Sequence, residues 1–189
     1  FDLIYDYQCD PHAGIGMTGV IIANPIIYTC NKSLDQELNG FNPDPVYLLW
    51  VWSYDTLSIT NTGNCDLRIR PEFDISHESL TIGASDFDLK WHNPLFGIWA
   101  DIPYYIDANG HAVGFWGFGA DSTGTQITQG SAQQIIIRIR FRTNANYGKY
   151  SANWITQEVD SSGSFLQTLV TGDSTSISLV DCSIFNVDS

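Results

Sequence analysis

The chain is short of positive charge, of methionine and of good helix formers. Only 8 of its 189 residues are Lys or Arg, against 21 Asp or Glu, for a net charge of −13. Such a surface repels nucleic-acid phosphates and anionic lipid, so a nucleic-acid partner is excluded. Methionine occurs once, and Lys, Glu and Ala are scarce beside Ile, Val, Thr, Tyr, Phe and Trp. That balance disfavours helices and suits pleated, half-buried strands. Long apolar runs are missing too: the longest, residues 19–28, is broken by Asn24-Pro25. No membrane span is expected.

Chemistry-bearing patterns are equally sparse. His12, His77, His92 and His111 lie far apart, without the i, i+2 or i, i+4 spacing of paired metal ligands. A glycosidase needs two carboxylates across a cleft, but Glu37, Glu72, Glu78 and Glu158 have no evident partners. No serine stands in a strand–turn–helix elbow, and no glycine-rich loop opens a helix. We therefore expect no catalytic residue, no metal and no cofactor. Asp107-Ala108-Asn109-Gly110 resembles half of a calcium loop, yet a hairpin turn explains it better.

Cysteine is present four times, as Cys9, Cys30, Cys65 and Cys182, with no C-x-x-C pair. Wide, even-numbered spacing reads as two disulfides in an oxidising compartment, and three connectivities are possible. Cys9–Cys30 with Cys65–Cys182 is the favoured pair, one closing a local loop and the other tying mid-chain to the last strand. An N-terminus at Phe1 fits a chain processed by signal-peptide removal, so a secreted, extracellular protein is expected. Asn31-Lys32-Ser33 is a glycosylation sequon, with Asn31 as acceptor.

What is abundant is period-two alternation. Ile135, Ile137, Ile139 and Phe141 alternate with Arg138, Arg140 and Arg142, the clearest strand in the chain. Arg68 and Arg70 form a second arginine row, and like charges directly opposite destabilise a sheet. The two rows are therefore expected out of register, each near acidic residues, with Asp86 and Asp88 as candidate partners. Phe87, Leu89 and Trp91 form another alternating strand. Residues 46–53, ending in Trp50 and Trp52, read as a central strand buried on both faces. Residues 33–38 read as a helical turn, 164–170 and 176–187 as two separate strands, and Asp107–Gly110 as a hairpin. Recurrent strands without helices indicate an all-β jelly-roll or immunoglobulin-like β-sandwich. Trp99, Tyr104, Tyr105, Trp116 and Phe118 gather around one hairpin and could form a sugar-stacking platform.

Two segments are similar to a known group of proteins. Residues 57–71, with the turn Asn61-Thr62-Gly63-Asn64 before an alternating strand, and residues 135–150, ending Tyr147-Gly148-Lys149-Tyr150, resemble TasA-type biofilm matrix proteins. The likeness extends to their archaeal relatives, the bundling-pilus and thread subunits, and covers residues 46–155 as a pattern. It implies a filament in which each subunit gives a strand to complete its neighbour's sandwich. Phe1, Leu3, Tyr5 and Tyr7 are the candidate donor strand, within an extended segment 1–13 ahead of a sandwich domain 14–189. Residues 20–28 and 177–187 are alternative donors. Identical subunits in a helical homopolymer are the expected partners, with glycans or other filaments as further ones. The alternative function is a secreted carbohydrate-binding module.

Overall fold

The computed structural model describes residues 3–8, 18–23, 29–47, 49–116 and 123–181. All regular elements among them are strands. The chain divides into two compact units, Phe1–Cys30 and Asn31–Ser189.

The first unit contains one two-stranded antiparallel sheet. Strand β1 (Leu3–Gln8) pairs with β2 (Thr18–Ala23), with Leu3 opposite Ala23, Tyr5 opposite Ile21 and Tyr7 opposite Gly19. The candidate donors Leu3, Tyr5 and Tyr7 therefore lie on β1, while Phe1 lies outside the described residues. Part of the alternative donor 20–28 is β2.

The second unit is a β-sandwich. One sheet runs β3 (Leu34–Leu38), β4 (Ser53–Asn61), β11 (Ala132–Phe141), β6 (Phe87–Asn93), β7 (Ile98–Asp101). The other runs β13 (Phe165–Leu179), β12 (Gly148–Val159), β5 (Leu67–His77), β9 (Ala112–Phe115), β8 (Tyr104–Ile106). A short β10 (Thr125–Ile127) also pairs with β5. Pairing within both sheets is antiparallel. The chain crosses between them repeatedly, as the loss of helical periodicity requires of a chain that must still bury two apolar sheet faces.

Alternation fills the space between the sheets. Leu57 and Ile59 from β4, Ile135, Ile137, Ile139 and Phe141 from β11, and Ile69, Phe73 and Ile75 from β5 are buried. Each such side chain contributes roughly 1.5–3 kcal/mol on full burial. Aromatic rings interlock across the layer, with Phe141 4.7 Å from Tyr150 and Trp91 edge to face with Trp116 at 5.4 Å, and within the second sheet, where Phe73 lies 5.4 Å from Trp154. The Tyr150 hydroxyl donates to the carbonyl of Asn146 at 2.8 Å, a corner that fixes how the chain enters β12. Burial, with Asp86 nearby, pushes that phenol well above its ordinary value.

Several sequence expectations hold. The Asn61–Asn64 turn forms, with the Asn61 carboxamide oxygen accepting the Gly63 N–H. Asp107 accepts N–H bonds from Asn109 and His111, each at 2.9 Å, and turns β8 into β9. Its carboxylate, held below the usual range first by the His111 N–H, serves that hairpin.

Three expectations fail. Residues 33–38 are not a helical turn: residues 34–38 form β3, whose Gln36 side chain reaches across to β12 by donating to the Trp154 carbonyl and accepting from the Thr156 hydroxyl. Residues 164–170 and 176–187 are not separate through their facing ends. One strand, β13, runs from Phe165 to Leu179, and irregularities in its register with β12 absorb the Thr171-Gly172-Asp173 turn signal. Gly172 takes a positive φ of 90° there. Residues beyond 181 lie outside the described ones. Finally, residues 46–53 are not a doubly buried strand. Val46 bridges to Leu179, β4 starts only at Ser53, and Trp50 and Val51 are exposed. The tryptophans of this segment have a different task, on the outer face of the first sheet.

Candidate functional site

The outward side of β11 carries the arginines because its inward side carries the isoleucines. Register places Arg138 between Tyr54 of β4 and Lys90 of β6, and Arg140 opposite Asp88 of β6. Lys90 in turn faces Asp101 of β7, and His92 faces Trp99. The second arginine row lies on β5, in the other sheet, so the two rows never meet.

Asp88 compensates part of this charge. It accepts from Arg140 Nε at 2.7 Å and also from Arg142 Nη2. Burial works to raise its pKa, but the Arg142 and Arg140 guanidiniums outweigh it and hold the carboxyl below the usual range. The same pairing raises Arg142. Lys90 pairs with Asp101 at 2.8 Å. Asp86, the other expected partner, is buried and accepts the Gly83 N–H instead. Arg70 and Arg68 find neutral oxygens: Gln157 and the Gly163 carbonyl for one, the Thr123 and Gly124 carbonyls for the other.

Tryptophan supplies what carboxylates do not. The Arg138 guanidinium carbon lies 4.0 Å from the Trp52 ring centre and 3.9 Å from that of Trp99. The Arg140 carbon lies 4.5 Å from Trp52 and 5.2 Å from Trp50. The contacts therefore run Trp99, Arg138, Trp52, Arg140, Trp50, cation and ring alternating. Each is worth about 0.5–2 kcal/mol, more as the cation loses water. Tyr54 and His92 stand edge-on to Trp99 at 5.8 and 5.3 Å. At the far end Trp50 is 50% exposed and has a φ of 70°. A bulky residue reaches that region at a cost of roughly 1–3 kcal/mol and stays only where its surroundings hold it. Here the Trp50 N–H donates to the Phe141 carbonyl at 2.9 Å while the ring meets Arg140.

The face continues into the exposed apolar side chain of Ile136 on β11, and the β6–β7 turn presents Leu95 and Phe96. Beside Arg142 a cleft of about 260 Å³ opens between Asp88, Asp101 and Tyr104. Burial, then the neighbouring Asp86, pushes the Tyr104 phenol up to about 12. That proton stays on across the physiological range, donated to the Phe87 carbonyl at 2.9 Å.

The aromatic platform expected around one hairpin does not assemble. Trp116 is 1% exposed in the core, and Tyr104 stacks on Phe87 at 4.9 Å. Tyr105 alone is strongly exposed, Trp99 belongs to the outer arginine row, and Phe118 lies outside the described residues. The tryptophans that join Trp99 come from the segment misread as a buried strand. A signal was available: outward arginines on a central strand need partners, and Trp50-x-Trp52 offers two rings at that period.

Other expected residues are placed as follows. Cys30 and Cys65 are disulfide-bonded, while Cys9 and Cys182, one in each expected pair, lie outside the described residues. Asn31 is exposed, and its backbone exchanges hydrogen bonds with Asn64. Glu158, buried, is held by Lys32 and Gln167, Glu72 by Gln157, and Glu78 by the Lys149 N–H. His111 Nδ1 lies 2.9 Å from Asp74. Among the described residues no three His, Cys, Asp or Glu gather as a metal centre, and no helix is long and apolar enough to cross a membrane.

No protein-family model and no curated protein matches the sequence. Solved structures do. AvmM, which catalyses macrocyclization in alchivemycin A biosynthesis, is similar with a TM-score of 0.56 at 15% identity, over 80% of this chain and 90% of that one. A family 123 glycoside hydrolase from Clostridium perfringens follows at 0.46 and 11%, over 79% of this chain, which spans only 27% of the hydrolase. MyfA, the major subunit of Myf fimbriae from Yersinia enterocolitica, is similar at 0.30 and 12%, over 78% of this chain and 98% of that one. At such identities the likeness to AvmM is one of fold.

Proposed function

We propose that this chain is a structural, adhesive subunit of an extracellular filament, built head to tail by passing an N-terminal strand to the next subunit, and that it is not an enzyme. The observation that carries the reading is the N-terminal sheet. In the described ladders β1 pairs with β2 alone, inside a compact unit of its own. A two-stranded sheet is marginal in water, and its outer edges present unpaired N–H and C=O groups that another strand can satisfy. Leu3, Tyr5 and Tyr7 alternate as a pocket-filling strand would. A head-to-tail contact of this kind does not close on itself, so it propagates. The sandwich fold and the resemblance to TasA-type subunits support the same reading.

Deletion of residues 1–8 tests it. The shortened protein should keep the β-sheet circular dichroism of the sandwich and show no filaments by negative-stain microscopy. Filaments of normal length from that variant would refute transfer of β1.

A further inference from the structure

We propose that the outer face of β11 is a binding site for acidic polysaccharide, pairing the carboxylate of one pyranose with Arg138 and stacking another ring of the same polymer on Trp50. The first ground is charge placement. Lys90, Arg138, Arg140 and Arg142 bring four of the chain's 8 basic residues onto one patch of a protein of net charge −13. Among the described residues only Asp88 and Asp101 answer them by ion pairs. The acidic residues of the same face, Asp35 and Glu37, lie on β3 opposite Thr60 and Ser58. Ser58 is four residues along β4 from Tyr54, roughly 13 Å at the usual strand rise.

The second ground is Arg138 itself. Among the described residues its guanidinium makes no hydrogen bond or ion pair, and its Nε is buried without a partner. Its guanidinium is set against Trp52 and Trp99, which hold it in place and strip water from it. The terminal Nη N–H donors are left for an acceptor, and a carboxylate matches the pair of them with two parallel bonds.

The third ground is the shape and chemistry around it. A strand face is flat, with Trp50 half exposed at the Arg140 end of the row and Tyr54 and Ile136 exposed toward the Trp99 end. Flat aromatic surface stacks on the C–H face of a sugar ring, whereas an acidic peptide would need pockets for its side chains. The occupant that combines a flat apolar face with a carboxylate is a uronic-acid unit, and an extended polymer can present such units along the sheet.

The test is affinity electrophoresis and calorimetry of the full chain with polygalacturonate and alginate oligomers, and with the same polymers after carboxyl reduction. Retention by the uronates but not by the reduced polymers is expected. Arg138→Gln should lower affinity at least tenfold, Arg138→Lys should not restore it because an ammonium lacks the planar fork, and Trp50→Ala should weaken it similarly. Circular dichroism and the melting temperature certify that each variant is folded, and Lys149→Gln serves as a basic-residue control. Equal binding of reduced polymers, no binding, or an equal loss in Lys149→Gln would overturn the proposal. So would poly-glutamate competing as well as uronate, or a dimer in solution that Arg138→Gln dissociates, which would make the occupant a second copy. Filament formation should be untouched by these variants, so this site and strand transfer stand or fall separately.

Discussion

Asp55 and Asp88 occupy the same sheet with opposite electrostatics. Asp55 on β4 is buried, accepts the Gly40 and Thr56 N–H groups, and has one carboxylate oxygen without a partner. Burial raises its pKa above the ordinary 3.8 despite those bonds. The folded state thus holds that proton more tightly than the unfolded chain, and Asp55 costs stability as pH rises from 3.8 through its folded value. Asp88 is the reverse: its contribution is complete above 3.8 and is lost as pH falls through its lowered folded value. Urea unfolding across pH separates the two. Relative to Asp55→Asn, the natural protein should lose ground between pH 4 and 7. Relative to Asp88→Asn it should lead by about 1 kcal/mol at pH 7, a figure discounted for the exposure of its arginine partners, and that lead should vanish toward pH 2. Parallel curves for either pair would contradict the assignment. The pairing of Asp88 with arginine was legible in the sequence; the behaviour of Asp55 was not, because alternation places it inward without saying that Gly40 closes over it.

At the scale of elements, alternation was a reliable guide where a strand has one wet and one dry face. β6 and β11 follow the expected pattern, as does the β8–β9 hairpin. It misled where an apolar run owed its composition to something other than the core. Trp50 and Trp52 are apolar because arginine stacks on them from outside, and strand patterning cannot distinguish that from burial. Residues 34–38 form a strand because Gln36 and β4 recruit them, a tertiary influence that outweighs local preference. The Arg138 stack joins three separate segments, so no local window displays it. The corner at the start of β12 makes its own prediction. Tyr150→Phe removes the bond to Asn146 while keeping the ring among Phe87, Phe141 and His77. It should cost about 1 kcal/mol in urea unfolding with no change in near-ultraviolet circular dichroism. A neutral result would mean that ring packing alone sets the corner.

Considered whole, the protein has a β-sandwich unit and a small N-terminal unit whose described sheet has two strands. Three of the sandwich's four outer strands are short: β3 has five residues, β7 four and β8 three, whereas β13 has 15. Short edges give little purchase for indiscriminate sheet-to-sheet pairing. Among the described strands β13 is then the margin of the sandwich that offers another strand a long ladder. A strand could be suggested from alternation at Leu3, Tyr5 and Tyr7, but its pairing with β2 could not, since register depends on a partner that sequence does not nominate.

The arginine face also has a fixed sign in a molecule whose overall sign is not fixed. Guanidinium groups keep their charge at every pH a protein survives, whereas the 21 Asp and Glu that make the chain negative lose theirs in acid, leaving 8 Lys and Arg with 4 His to dominate. Above the carboxylate range the face is a positive island in a negative surround. Below it the surround turns positive and the island disappears into its background. The molecule is thus polarised only in neutral and alkaline surroundings, and orientation by charge is a property it acquires from its environment.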